Sequence, residues 1–123
     1  MRNLAIILFL SIFSLGAQAS GNAHPMDHIK TDVSDMESLQ SGFALFSSYC
    51  FGCHSLKYAR YERTASDIQI PLNIMEENIL VGNAKIGQLM TNSMSTDQAT
   101  VWFGSPPPDL TLSARLRGAD WLY

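Results

Sequence analysis

Cys50-Phe51-Gly52-Cys53-His54 holds both cysteines of a 123-residue chain, and no other stretch restricts the fold as much. Residues 1–19 read as a signal peptide. Arg2 supplies the positive start, an apolar run follows over residues 4–15, and Ala17-Gln18-Ala19 offers small residues for cleavage. In an exported chain an ordinary cysteine pair oxidises to a disulfide that staples distant segments. Two cysteines confined to one turn require another explanation. Thiols at this spacing can add to the two vinyl groups of one macrocycle, and the adjacent imidazole then reaches the iron from the same side. Gly52 keeps the turn free of a bulky side chain. Cys50-Phe51-Gly52-Cys53-His54 therefore reads as a C-x-x-C-H attachment site for one covalent haem c, with His54 as the iron ligand. A haem would also supply core to a small domain.

Other uses of these residues stay open at this level. A thioredoxin-type dithiol follows a strand, whereas an amphipathic helical pattern precedes Cys50. A zinc site could join Cys50 and Cys53 to His24 and His28, although Pro25 interrupts that histidine pair. A plain disulfide across C-x-x-C is strained. For the second axial position the downstream candidates are Met75, Met90 and Met94. Met75 falls on an apolar helix face, while Met90 and Met94 sit in a polar segment free to approach a haem.

The chain divides into a signal peptide over 1–19, a linker over 20–33 and one haem-carrying domain over 34–123. An uncleaved anchor is the competing reading of the first segment, but its apolar run is short for a bilayer. No later segment has the length and apolarity of a membrane helix. Ser34 and Glu37 form a capping box that opens a helix carrying Met36, Leu39, Phe43 and Phe46 on one face and running into Cys50. Residues 55–70 read as loop or irregular helix. Pro71 opens a helix over 71–80, which Val81-Gly82 stops. Ser95 and Gln98 form another capping box, with Gly104 closing that helix. Pro106-Pro107-Pro108 must be extended. Asp109 caps a last helix through Leu116 that Gly118 ends, with Arg115 and Arg117 complementing its negative end. Residues 120–123 read as the first turn of another helix, and no segment shows a strand period. The formal charge is −3, and loss of Arg2 with the leader makes it one unit more negative, which argues against nucleic acid as a partner.

These residues resemble the amino-terminal part of the cytochrome c1 family, the haem subunit of ubiquinol:cytochrome c oxidoreductase. The resemblance rests on residues 41–58 around the haem motif, on Lys85-Ile86-Gly87-Gln88-Leu89-Met90 and on Trp102-Phe103-Gly104. Above all it rests on Pro107-Pro108-Asp109-Leu110-Thr111-Leu112-Ser113-Ala114-Arg115, and Gly118-Ala119-Asp120-Trp121-Leu122-Tyr123 completes it. It implies an all-α, cytochrome c-like helical domain wrapped around one haem and incomplete at its carboxyl end. Gly42 and Phe46 match a pair that lets the first helix cross a later one closely. Pro108 belongs to a segment whose carbonyl orients the proximal histidine. Arg117 and Tyr123 match positions that contact haem propionates.

The resemblance further implies an electron-transfer subunit on the periplasmic side of a bacterial inner membrane, with no bond-making catalysis of its own. Its partners are cytochrome b, a Rieske iron–sulfur protein as donor and a cytochrome c as acceptor. The family's methionine ligand and membrane anchor come after the position of Tyr123. Membrane association is then expected through the complex or through an anchor not present here. The alternatives are a stand-alone small periplasmic cytochrome c using Met90 or Met94, and a haem-binding sensor or transport module with an open iron site.

Overall fold

The computed structural model describes residues 25–123. The expected signal peptide and the first five residues of the expected linker, His24 among them, lie outside the described residues. Residues 25–32 have no regular structure, but they are tied down. The Asp120 carboxylate accepts from the Ile29 N–H at 3.0 Å and lies 2.7 Å from His28 Nδ1. These bonds, the Ile29 N–H first, hold the Asp120 pKa below the ordinary carboxylate range.

Helix α1, Met36–Leu45, begins one residue later than its capping signal suggests. Asp35 is the cap, its side chain accepting from the Ser38 N–H. Ser34 instead donates its hydroxyl and its N–H to Asp32 in a local turn. The expected apolar face is the one turned inward. Met36, Leu39, Phe43 and Phe46 are each half-buried. Gly42, one turn before Phe46, is exposed at the edge of that face, and an added Cβ there would meet nothing within 4 Å, so among the described residues no element crosses it. Gly42→Ala is expected to raise stability by about 0.5–1 kcal/mol, the cost of glycine inside a helix. A shifted denaturant midpoint at constant slope would report it.

The helix reaches Cys50 as expected, but its last turn, Phe46–Cys50, is π-wound. The Ser47 hydroxyl donates to the Phe43 carbonyl at 2.8 Å, competing with the backbone ladder, and the Phe51 N–H reaches back five residues to the Phe46 carbonyl.

Residues 55–70 correct the expectation of loop or irregular helix and add one strand of a small two-stranded sheet to a chain that is otherwise helix-rich, as the expected class requires. Leu56–Arg60 forms strand β1, and Tyr61–Asp67 forms helix α2. After helix α3, Leu72–Asn78, strand β2, Leu89–Met90, pairs antiparallel with β1. The register matches Leu56 to Met90 and Arg60 to Leu89 with an irregularity between them, so β1 lacks the alternation that marks a strand in a sequence. Pro71 caps α3 from outside, and the helix stops at Asn78, short of Val81-Gly82.

Helix α4, Thr96–Phe103, follows its local signals. Ser95 and Gln98 make the reciprocal capping box, and Gly104 turns the chain out at φ 79°. The last two helices are short: α5, Ser113–Arg117, and α6, Ala119–Leu122, meet at Gly118 with φ 85°. Asp109 caps neither of them. The core lies under the cysteine motif and consists of Phe51, Tyr61, Ala65, Met75 and Met90, with Phe43, Phe46 and Leu56 packed against it.

Candidate haem-attachment site

The π-wound end of α1 delivers Cys50, and a tight turn delivers the rest of the motif. The Cys50 carbonyl accepts both the Cys53 N–H, at 3.1 Å, and the His54 N–H, at 2.9 Å. One carbonyl thus fixes the relative positions of both cysteines and the histidine. Phe51, the residue after Cys50, is the anchor of the turn. Only 2% of it is exposed, its ring lies 6.0 Å from Phe46, and it meets Tyr61 edge-on at 6.3 Å. The turn therefore presents Cys50, Cys53 and His54 outward while Phe51 holds it to the core. The two thiols are not joined to each other; Cys53 is exposed and Cys50 half-buried. The Cβ direction at Gly52 is open.

His54 is oriented from 54 residues away. Its Nδ1 lies 2.8 Å from the Pro108 carbonyl oxygen, so Nδ1 carries the proton and Nε2 keeps its lone pair for a metal. The proline-rich segment has no regular secondary structure and is laced to the start of β1. The Leu110 N–H donates to the Ser55 carbonyl at 3.0 Å, and the Lys57 N–H donates to Asp109 Oδ2 at 2.7 Å. The Ser55 hydroxyl also accepts the Asn92 N–H, tying the residue after His54 to the chain beyond β2.

The other site candidates fall elsewhere. Arg117 lies over the Trp121 ring, 5.1 Å from its centroid, and Tyr123 is exposed at the end of α6. Among the described residues neither is hydrogen-bonded to the Cys50–His54 turn. His28 is engaged by Asp120, and among the described residues no three metal-ligating side chains cluster. Met75 and Met90 are both fully buried in the core, where the Met90 sulfur accepts from the Thr64 hydroxyl at 3.5 Å. Met90 thus has no polar setting of the kind expected for it. Met94 lines an open groove of about 240 Å³ bordered by Cys53, Lys57 and Asp109.

The donor set fits a c-type haem: two free thiols on one turn and an imidazole whose second nitrogen is already satisfied. Apolar side chains for such a group are also at hand. Trp102, Phe103, Leu112 and Leu116 flank the proline segment in the chain, and each is more than half exposed. Sequence reasoning passed over Phe51 and Tyr61 as anchors, and it took Asp109 for a helix cap. An Asp-x-Thr pattern in a proline-rich loop was the available hint, since such residues often close a local side-chain turn.

No family model matches the chain. Over all 123 residues it is 44% identical to cytochrome c1 of Allochromatium vinosum, covering 50% of that protein. Over 118 residues, 96% of the chain, it is 36% identical to the ammonia monooxygenase gamma subunit of Nitrosomonas europaea, again covering 50% of that protein. The chain thus spans about half the length of the curated relatives it matches.

Proposed function

We propose that the chain, 44% identical over its whole length to a cytochrome c1, is part of a protein of that family, carries one covalently attached haem c and serves electron transfer in a cytochrome bc complex. The observation that carries this reading is the 2.8 Å contact between His54 Nδ1 and the Pro108 carbonyl, which leaves Nε2 for the iron directly beside two free thiols. When bound, the haem supplies a one-electron couple. The residues do the rest. Cys50 and Cys53 would hold the haem through thioethers, each S–H adding across one vinyl group, sulfur to one carbon and hydrogen to the other, with no external oxidant. His54 would ligate the iron through its Nε2 lone pair, and the Pro108 carbonyl holds the imidazole in one tautomer.

The donor on this reading is a Rieske iron–sulfur subunit, the neighbour in the complex is cytochrome b, and the acceptor is a cytochrome c. Export across the inner membrane would be directed by residues 1–19. Among the described residues no helix is long and apolar enough to cross a membrane. Arg117 and Tyr123, on or beside the last two helices, are assigned to the haem propionates. The ammonia monooxygenase gamma subunit is the less similar of the two relatives, and nothing in the geometry of the cysteine turn favours its name over cytochrome c1.

Haem staining of a denaturing gel tests the attachment. Protein made with a working maturation system should stain, and an unstained band would remove the proposal. Met94→Leu should leave the visible spectrum of the haem-loaded protein unchanged. Loss of a methionine-to-iron absorption band would instead favour a stand-alone cytochrome using the one candidate methionine that borders Cys53.

A further inference from the structure

We propose that Asp109 is a positioning residue for the iron ligand, its carboxylate holding the Pro108 carbonyl against His54 by bridging the proline segment to the backbone of β1. The inference rests on the haem-attachment reading and adds to it a residue that does not touch the cofactor site itself.

Asp109 divides its two oxygens between two segments. Oδ1 accepts the Thr111 hydroxyl at 2.7 Å and the Thr111 N–H at 3.1 Å, closing a turn within its own loop. Oδ2 accepts the Lys57 N–H at 2.7 Å, three residues beyond His54. The two chains are then joined rung by rung: His54 to Pro108, Ser55 to Leu110, Lys57 to Asp109 and Tyr58 to Thr111. The only rung made by a charged acceptor is that of Asp109, and charge-assisted bonds are the stronger kind. Partial burial of Asp109 raises its pKa, but the bonds from Lys57 and Thr111 outweigh that and hold the carboxyl below its ordinary range. It is therefore ionised near neutral pH and able to accept at both oxygens.

A carboxylate serving only its own turn would need Thr111 alone. The second oxygen is what couples the loop to the histidine side, so Asp109→Asn and Thr111→Val should separate. The first replaces an acceptor facing the Lys57 N–H, while the second removes the hydroxyl bond inside the loop and the long 3.4 Å rung from the Tyr58 N–H but leaves the Asp109–Lys57 bond in place. Asp109→Asn also deletes a charge, which alone would shift a reduction potential. Asp109→Glu keeps that charge and displaces the carboxylate by one methylene, so the readouts should report the histidine bond and not charge.

In the haem-loaded protein these readouts are solvent exchange of the His54 Nδ1 proton and the iron–imidazole stretching frequency of the ferrous form after photolysis of bound carbon monoxide. Exchange should accelerate on the order of tenfold in Asp109→Asn, as expected for loss of a charge-assisted bond. The stretch should fall in both Asp109→Asn and Asp109→Glu as the imidazole loses anionic character, with Thr111→Val close to the unsubstituted protein. Unchanged exchange and stretch in Asp109→Glu would overturn the proposal, and so would Thr111→Val matching Asp109→Asn. If Asp109→Asn fails to accumulate, the glutamate and valine variants decide the matter. An unsubstituted protein without haem is a separate result: it removes the premise, whereas haem-loaded variants with unaltered values remove only the role of Asp109.

Discussion

Replacing Cys50 and Cys53 together by alanine is expected to abolish haem staining on a denaturing gel, while either single replacement leaves one thioether and a reddened spectrum from the remaining vinyl group. The reasoning is geometric. The Cys50 carbonyl accepts the N–H groups of both Cys53 and His54, so backbone bonds set the turn and neither thiol is needed to form it. All three alanine variants should then keep the fold, and loss of stain would report lost attachment. A double variant that still stained after denaturation would place the haem elsewhere on the chain. A dithiol or zinc protein would differ from the outset, since the unsubstituted band would not stain.

How much of this was legible in the sequence depended on how near the determinants lie to one another. The capping box at Ser95 and Gln98 and the stops at Gly104 and Gly118 were readable because each is settled within four residues. Strand β1 was not. Its partner β2 is two residues long and lies about thirty residues on, and the irregular register removes the period-two pattern from Leu56–Arg60. Asp109 was misread for a similar reason. An aspartate before an apolar run looks like a helix cap, and its competing partner, the Lys57 N–H, is 52 residues earlier. Met90 was assigned by its polar neighbours, yet pairing of Leu89–Met90 with β1 carries its side chain into the core.

The site divides along the same line. Cys50, Cys53 and His54 came from spacing alone, since the chemistry demands that they be adjacent. Nothing in the local pattern ties Pro108 to His54. That expectation came from the family resemblance, and the 2.8 Å contact is where the two segments meet. Phe51 was invisible as an anchor because its position between the cysteines tolerates many residues in principle; its role here comes from two aromatic neighbours, Phe46 and Tyr61, supplied by different elements.

Tyr61 is the other large lever on the structure. It is fully buried at the start of α2, edge-on to Phe51, and so supports the cysteine turn from below. Tyr61→Ala should cost about 3–5 kcal/mol, the range for emptying a large aromatic site. Tyr61→Phe should behave differently. Among the described residues the hydroxyl is enclosed without a hydrogen bond of good geometry, and burial pushes its pKa up, with the Val81 backbone, the nearest polar group offered to it, offsetting this only in part. Removing a polar atom that has no partner costs little, so the phenylalanine variant should stay within about 1 kcal/mol of the unsubstituted protein or gain slightly. Denaturant unfolding of the three proteins measures both differences. A loss in Tyr61→Phe comparable to that in Tyr61→Ala would mean that the hydroxyl has a partner in solution. A haem yield that falls in step with stability in Tyr61→Ala, and holds in Tyr61→Phe, would tie attachment to the ring packing against Phe51, because that packing is what the two variants do not share.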